Sequence, residues 1–404
     1  MDDTVIVIHR ILDDRLNQLV FDEIPGAYLV GGFIRDAFLS KISMDRDFAV
    51  KGEPDKIAYK IKGYVGGTVV KLKDGSTVRI ALKDGTTLDF SRYDNEISDD
   101  LLRRDFTINA IAFSIETGLY DPLNGIADLK TGCIRMTREE NLRDDPVRLI
   151  RAYRFVGEID GHIDDKTMEA IRRHKGLLRQ SAPERITLEF FKLLQSKACL
   201  RALREAFDCS LGREVIPLEN NKLDNVMKKL IEVTQKLKEA PEEFKEGLDA
   251  EVSQGLTLKG LILLDILLEE TGMEATRLRL SKKIKTRIAL FKMRQEGVLS
   301  SRDASDEELY DCFERLGDSI LEVIMIQGRE GLYGKAMRYL TISGNPVLDG
   351  EDIAEITGVG EGPTVGRLLY EVKKAQFTGK IRSRKEATAY LKSFFGKKTL
   401  DRHP

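Results

Sequence analysis

The chain has no tryptophan, and among its 404 residues there are only four cysteines and four histidines. Cys133, Cys199, Cys209 and Cys312 are scattered without any Cys-x-x-Cys spacing, the pattern of reduced thiols in a cytosolic protein. The four scattered histidines argue against a His-rich zinc site. No apolar run reaches the length that spans a bilayer, and no signal peptide precedes the first charges, so neither membrane insertion nor secretion is expected. An excess of one charge is missing too. With 65 Lys and Arg against 67 Asp and Glu, the net charge is −2. A nucleic-acid partner must therefore be argued from where the charges sit, not from their sum. The remainder is ordinary folded material, 42% hydrophobic and 33% charged, long enough for about two to four domains.

One stretch organises the rest, Tyr28 to Val50, reading YLVGGFIRDAFLSKISMDRDFAV. Tyr28-Leu29-Val30 is a short buried strand. Gly31 and Gly32 lack Cβ atoms and let a backbone approach a ligand closely. A short helix, Phe33 to Ser40, follows with its first amides over the glycines, a setting that attracts phosphate. The next strand carries Asp45 and Asp47, which share a face about 6.5–7 Å apart. Carboxylates so placed can hold two Mg²⁺ ions about 3.5–4 Å apart for in-line phosphoryl transfer. Taken singly, a Gly-Gly is usually a tight turn and an Asp-x-Asp a solvated strand edge. Together with Arg35, placed to meet a phosphate, they describe a triphosphate cradle beside a two-metal site.

Around this stretch the patterning predicts a mixed sheet. Residues 5–20 form a helix or a strand-helix lead-in, with Leu12, Leu16 and Leu19 on one helical face, and a short helix runs from Asp55 to Ile61 after Pro54. Strands are expected at Thr68–Leu72, Thr77–Leu82 and Thr87–Ser91, with hairpin turns at Asp74-Gly75 and Asp84-Gly85. Leu88 and Phe90 would face inward and Asp89 outward. Asp89 is either a third carboxylate that deprotonates the attacking hydroxyl or a surface strand residue. Further on, Arg103-Arg104-Asp105-Phe-Thr-Ile-Asn109-Ala110 sets adjacent guanidiniums, which suit phosphate, beside a carboxylate that suits ribose hydroxyls. A charged helix start is the plainer alternative.

From Thr137 the sequence is helical. Thr137 to Glu140 and Ser181 to Glu184 have capping-box spacing, and Pro146 suits a first helical turn. Asp145 and Arg148 would share a helix face. On cytosine or adenine, a carboxylate accepts from the exocyclic amine while a guanidinium donates to the ring nitrogen. Uracil and guanine present a carbonyl beside an N–H and leave both groups unpaired, the source of large discrimination ratios. The plainer reading is an i,i+3 ion pair worth about 0.2–0.5 kcal/mol. Farther along, Val226, Leu230, Val233 and Leu237 form a helical stripe, and Leu256 to Leu268 is apolar almost all round. Lys282, Lys283, Lys285, Arg287, Lys292 and Arg294 form a basic cluster, a solvated helix face or a phosphate contact. From Lys373 to Pro404 there are ten Lys or Arg against two Asp or Glu, a stripe suited to an RNA backbone.

These motifs resemble those of the class II tRNA nucleotidyltransferases (CCA-adding enzymes) and bacterial poly(A) polymerases, a branch of the polymerase-β-like superfamily. Gly31, Gly32, Arg35, Asp36, Asp45 and Asp47 match its first signature, and Arg103 to Ala110 its Arg-Arg-Asp-Phe-Thr-x-Asn-Ala at every position. Tyr120 to Gly125 is similar to the family's Asp-Pro-x-x-Gly turn. Asp144-Asp145-Pro146-Val147-Arg148 resembles its Glu-Asp-x-x-Arg base-reading motif with Asp144 for the usual Glu, and Arg151, Arg154 and Phe155 also match. Glu184-Arg185-Ile186 with Glu189 resembles a motif that buttresses the neck helices. Ile342 to Asn345 and Gly358 to Arg367 resemble the tRNA-binding tail. No His-Asp phosphohydrolase signature is present.

The resemblance implies an α/β catalytic head with a mixed, polymerase-β-like sheet (1–137), then an all-α neck (138–205), body (206–328) and tRNA-binding tail (329–404). It implies two Mg²⁺ ions on Asp45 and Asp47, while Asp89 remains the candidate third catalytic carboxylate by its place on the strand alone. Gly31, Gly32, Arg35, Arg104, Asp105, Arg151 and Arg154 would surround the nucleotide, Asn109 would brace the site, and Asp145 and Arg148 would read the base. CTP and ATP would be the substrates, and tRNA would be held at its acceptor end and elbow. Only Asp94 to Ser98 separate Tyr93 from Asp99, where full CCA-adding enzymes carry a longer loop. That shortness resembles enzymes that stop at CC. Two other readings share these residues: a poly(A) polymerase, disfavoured by the short loop and the tRNA-type tail, and a non-catalytic tRNA-binding protein, disfavoured by the two retained, mutually repelling carboxylates.

Overall fold

The apolar runs of the first third of the chain assemble into one sheet, whose strands are β1 (Tyr28–Val30), β2 (Asp45–Val50), β3 (Thr68–Lys71), β4 (Thr77–Ala81), β5 (Thr87–Arg92), β6 (Ala112–Ser114) and β7 (Gly118–Tyr120). The spatial order is β3-β4-β5-β2-β1-β6-β7. Only β2 and β5 run parallel; the other pairs are antiparallel. The computed structural model describes residues 3–72, 77–292, 304–360 and 362–400. The expected Asp74-Gly75 turn lies outside them. At the second turn Asp84 accepts from the Thr86 N–H at 2.9 Å, and Gly85 takes a φ of +88°.

Alternation along β2 and β5 decides which face is core. Phe48, Val50, Leu88 and Phe90 are fully buried, with the Phe48 and Phe90 rings stacked at 5.6 Å. They pack in one cluster with residues of α1 (Asp3–Asp13), α2 (Arg15–Glu23), α3 (Gly32–Phe38) and α4 (Pro54–Val65). The single lead-in expected over residues 5–20 is thus two helices. Asp14 breaks them, accepting from the Leu16 and Asn17 amides as N-cap of α2. The same carboxylate holds the buried Arg46 at 3.1 and 2.6 Å. Arg46, between the two aspartates of β2, is thereby pinned on the face opposite theirs.

Further helices of this part are α5 (Ile97–Leu102), α6 (Gly125–Thr131), α7 (Glu139–Asp144), α8 (Val147–Ile159), α9 (Asp165–His174), α10 (Pro183–Leu194) and α11 (Cys199–Asp208). The Asp-Pro-x-x-Gly turn has a clear cause. Asp121 accepts from the Gly125 and Ile126 amides at 2.7 and 2.9 Å, capping α6, and a Cβ on Gly125 would collide with the Thr107 carbonyl. Neither capping box forms. Arg138 is the N-cap of α7, because the Thr137 hydroxyl donates to the Arg104 carbonyl, which also takes the Asn141 amide. At α10 the N-cap is Ala182, with Pro183 opening the helix.

By contact density the chain divides into two compact units, residues 1–223 with 274–279, and residues 224–273 with 280–404. In the second, Val226, Leu230, Val233 and Leu237 are buried as the stripe required. The stretch from Leu256 is not helix throughout: Glu251–Ser253 and Leu256–Thr257 form a two-stranded ribbon, and the helix runs Leu258–Glu269 with Thr257 capping Gly260. Of the basic cluster, Lys282, Lys283 and Lys285 are exposed, Lys292 is described only as backbone, and Arg294 lies outside the described residues. Arg287 departs from the pattern. It turns inward onto the fully buried Glu322 and the Asp318 carbonyl, so it serves packing and not a solvated face.

Near the C-terminus, Asp349 and Asp352 make a reciprocal capping box on the helix Gly350–Thr357, which ends at Gly358 with φ +69°. Pro363 opens the helix Pro363–Phe377, and Arg384–Leu400 is the last helix. The basic stripe is partly spent on ion pairs. Lys374 meets Asp311, Lys380 meets Glu307 and Arg384 meets Asp352, whereas Arg382, Lys385 and Lys392 are exposed. Residues 401–404 lie outside the described residues.

Candidate active site

At the end of β1 the chain turns at Gly31, whose φ is +76°. A Cβ here would strike the Arg104 guanidinium and stand 3.4 Å from an Asp47 oxygen. Glycine is therefore required on two counts, backbone conformation and close approach. Beyond it lie the carboxylates. Asp47 is paired in register with Asp89 across the parallel β2–β5 ladder, so the two side chains stand side by side on the open face. Asp45, at the exposed start of β2, accepts from the Thr87 hydroxyl at 2.7 Å.

Burial pushes the Asp47 carboxyl above the usual carboxylate range; the Arg104 guanidinium pulls against this, and the Asp89 and Asp45 charges add to the rise. Asp89 is held by both arms of a guanidinium, Arg79 Nε and Nη2 at 2.7 Å each. Sequence reasoning missed Arg79, yet a signal existed. Arg79 and Asp89 each lie five residues from Asp84, so the hairpin turn alone pairs them. Among the described residues no group of three or more His, Cys, Asp or Glu is gathered as a metal shell. The donor chemistry of Asp45 and Asp47 nonetheless fits Mg²⁺: hard oxygen ligands on one face, with Asp47 raised by the burial and repulsion that a divalent charge offsets.

A continuous polar chain backs the carboxylates. Arg35 Nε and Nη2 donate to Asp36, its Nη1 to Asn109 at 2.6 Å, and the Asn109 amide donates to Asp105 at 2.9 Å. Asp105 also takes the Phe106 N–H and, at 2.7 and 2.6 Å, Arg151. Glu189 joins Arg151 at 3.5 Å to Arg154 at 2.8 Å. Three guanidinium carbons, of Arg35, Arg151 and Arg154, stand 5.0, 5.3 and 4.1 Å from the Phe155 ring centre. Burial alone would raise Asp105, but Arg151 and the hydrogen bonds from Asn109 and the Phe106 amide hold it well below the ordinary range. Arg35, expected to face a phosphate, is thus engaged with Asp36 and Asn109, and Arg154 is almost wholly buried on Glu189. Both still border a cavity of about 340 Å³ that also touches Gly32, Asp45, Asp47 and Arg104.

A second cavity of about 220 Å³ adjoins it, lined by Arg104, Asp105, Asp145, Arg148, Arg151 and Arg185. Asp145 and Arg148 do not share one helix as expected. Asp145 is the C-cap of α7, with φ −132° and ψ 86°, because Pro146 follows and starts the next helix as N-cap of α8. Arg148 Nε is 3.7 Å from Asp145, while its Nη1 donates to the Arg103 carbonyl at 2.8 Å. The tighter partner of Asp145 is Arg185 of α10, which meets its two oxygens at 2.9 and 2.8 Å. Nothing in the spacing of residues 145 and 185 reveals that contact; it depends on how α10 packs against α8.

The family model described as the poly A polymerase head domain matches residues 27–93 and 76–135, and one described as a probable RNA- and SrmB-binding site of polymerase A matches residues 162–222. A CC-adding tRNA nucleotidyltransferase of Geobacter sulfurreducens is 29% identical over 394 residues, covering 91% of each chain. A CCA-adding enzyme of Levilactobacillus brevis is also 29% identical, over 89% of this chain and 92% of its own. Among solved structures, a Thermotoga maritima CCA-adding enzyme complexed with tRNA superposes with a TM-score of 0.64 at 24% identity, over 96% of this chain and 97% of that one. A CCA-adding enzyme bound to CTP gives 0.62 at 24% identity, over 97% of each. The fold is shared along the whole length.

Proposed function

We propose that this chain, which belongs to the family of tRNA nucleotidyltransferases and bacterial poly(A) polymerases, adds nucleotides from CTP to the 3′ end of tRNA without a template and stops after two cytidines. One observation carries the reading. Asp45 and Asp47 line one cavity with Arg104, Asp89 is paired in register with Asp47 beside them, and the adjoining cavity holds Asp145 and Arg148.

Asp45 and Asp47 hold the metal ions. Two Mg²⁺, when bound, supply charge neutralisation for the attacking 3′ oxygen and the leaving pyrophosphate. The backbone at Gly31 and Gly32 admits the triphosphate against Arg104, and Arg35 keeps that cradle in shape through Asp36 and Asn109. Asp105 borders the same cavity and faces the ribose of the bound nucleotide. Arg151 fixes it directly from behind, and Arg154 backs Arg151 through Glu189. Asp89 takes the proton of the attacking hydroxyl when the Arg79 fork releases one of its oxygens. Asp145 accepts from the cytosine amine and Arg148 donates to the ring nitrogen, which excludes uracil and guanine. Arg382, Lys385 and Lys392, exposed in the C-terminal unit, contact the tRNA backbone.

The stop at CC is supported by the connection after β5. Ile97 and Ser98 already belong to α5, so only Tyr93 to Glu96 link the strand to the helix. The test is incorporation on tRNA lacking its 3′ CCA, in Mg²⁺, with CTP, ATP or both. Two cytidines and no adenosine are expected. A third residue with both nucleotides would identify full CCA addition, a long A tract a poly(A) polymerase, and no product a binding protein.

A further inference from the structure

The bond that holds Asp145 is not to Arg148 but to Arg185, and this changes what sets base choice. Arg185 reaches from the first turn of α10 and grips both Asp145 oxygens in a fork, at 2.9 and 2.8 Å. A two-point contact of this type fixes the plane of a carboxylate as well as its position. Asp145 needs that restraint. It sits at the break between α7 and α8, where its amide bonds to Asn141 O but no helix continues through it, and its side chain is 28% exposed. Without a second anchor the carboxylate would rotate among several acceptor directions, some of which suit N–H donors of the wrong base. Arg148, by comparison, is anchored on the Arg103 carbonyl and lies 3.7 Å from Asp145, too far to orient it.

We infer that Arg185 is a positioning residue for nucleotide selection: it occupies one lone pair on each Asp145 oxygen and aims the remaining ones at the amino group of an incoming cytosine. This rests on the proposed reading of Asp145 and Arg148 as the base-reading pair. Arg185 borders the same small cavity as both. Its side chain is 56% exposed, so truncating it removes a surface ion pair and leaves the fold standing.

The test compares kcat/KM for CTP and UTP on tRNA lacking its 3′ CCA, for the wild type, Arg185→Ala and Arg185→Lys, with thermal melting of each variant. If the wild type incorporates neither nucleotide, the functional reading fails, and that outcome is separate from the rest. Given an active wild type, Arg185→Ala should lower the CTP-to-UTP ratio by about tenfold or more at an unchanged melting temperature. Arg185→Lys, which keeps the charge but not the fork, should recover CTP turnover without recovering the ratio. A smaller change in ratio, an equal loss for both nucleotides, or full recovery of the ratio by lysine would overturn the inference.

Discussion

Two corners of one cleft treat their carboxylates in opposite ways. Asp105 is buried among donors: Arg151, the Asn109 amide and the Phe106 N–H all point at it, and its charge is stabilised. Asp47 is desolvated beside Asp89 and Asp45, and its charge is penalised despite Arg104. The first corner is balanced in charge without a ligand. The second is left unbalanced, and a divalent cation with its triphosphate would restore the balance. Under the proposed function, preorganisation of the surroundings and strain at the reacting centre would fall to different residues, keeping the donors fixed while the reactive carboxylates stay available.

The sharpest way to break this comparison is to neutralise one carboxylate at each corner. Asp47→Asn should lower nucleotidyl transfer by about 10³-fold, the scale of losing one essential charged group at a reacting centre. The melting temperature should stay level or rise, because one of three crowded charges is gone. Asp105→Ala should behave in the reverse order of cause. It strands Arg151 next to Arg154 with only Glu189 between them, and removing one partner of a buried pair costs about 3 kcal/mol or more. Its activity should fall with the loosened fold around α8 as well as with the lost ribose contact. Equal destabilisation by both substitutions, read by denaturant unfolding, would erase the distinction between the two corners.

The sequence carried the strands and the open-face carboxylates because both follow from local alternation. Tyr28–Val30, Asp45–Val50 and Thr87–Arg92 lie close to where patterning put them, and the Asp84-Gly85 turn pairs Arg79 with Asp89 by counting. What stayed hidden depends on contacts distant in the chain. Thr137 looks like a helix cap until the Arg104 carbonyl claims its hydroxyl. Arg35 looks free for phosphate until Asn109, 74 residues away, accepts from it. Arg287 looks like part of a basic surface until Glu322 is found buried against it. Likewise Asp145 and Arg148 count as helix neighbours only if Pro146 is ignored; the break it makes hands Asp145 to Arg185. Side-chain periodicity predicts which face a residue occupies, but not which of several long polar side chains will reach it.

The smallest expected effect sharpens the comparison through pH. Asp105 has a folded-state pKa depressed below its unfolded value, so the stability it confers is fully present above about pH 4, the ordinary aspartate range, and is lost as pH falls toward the folded value. Asp105→Asn carries no such titration. The stability gap between wild type and Asp105→Asn should therefore be constant from about pH 7 to pH 5 and then shrink progressively below about pH 4. Urea unfolding at matched ionic strength across that range measures it. A gap that stays constant into the acid would mean that Asp105 is held by shape and not by charge, and the preorganised corner would then need another source for its rigidity.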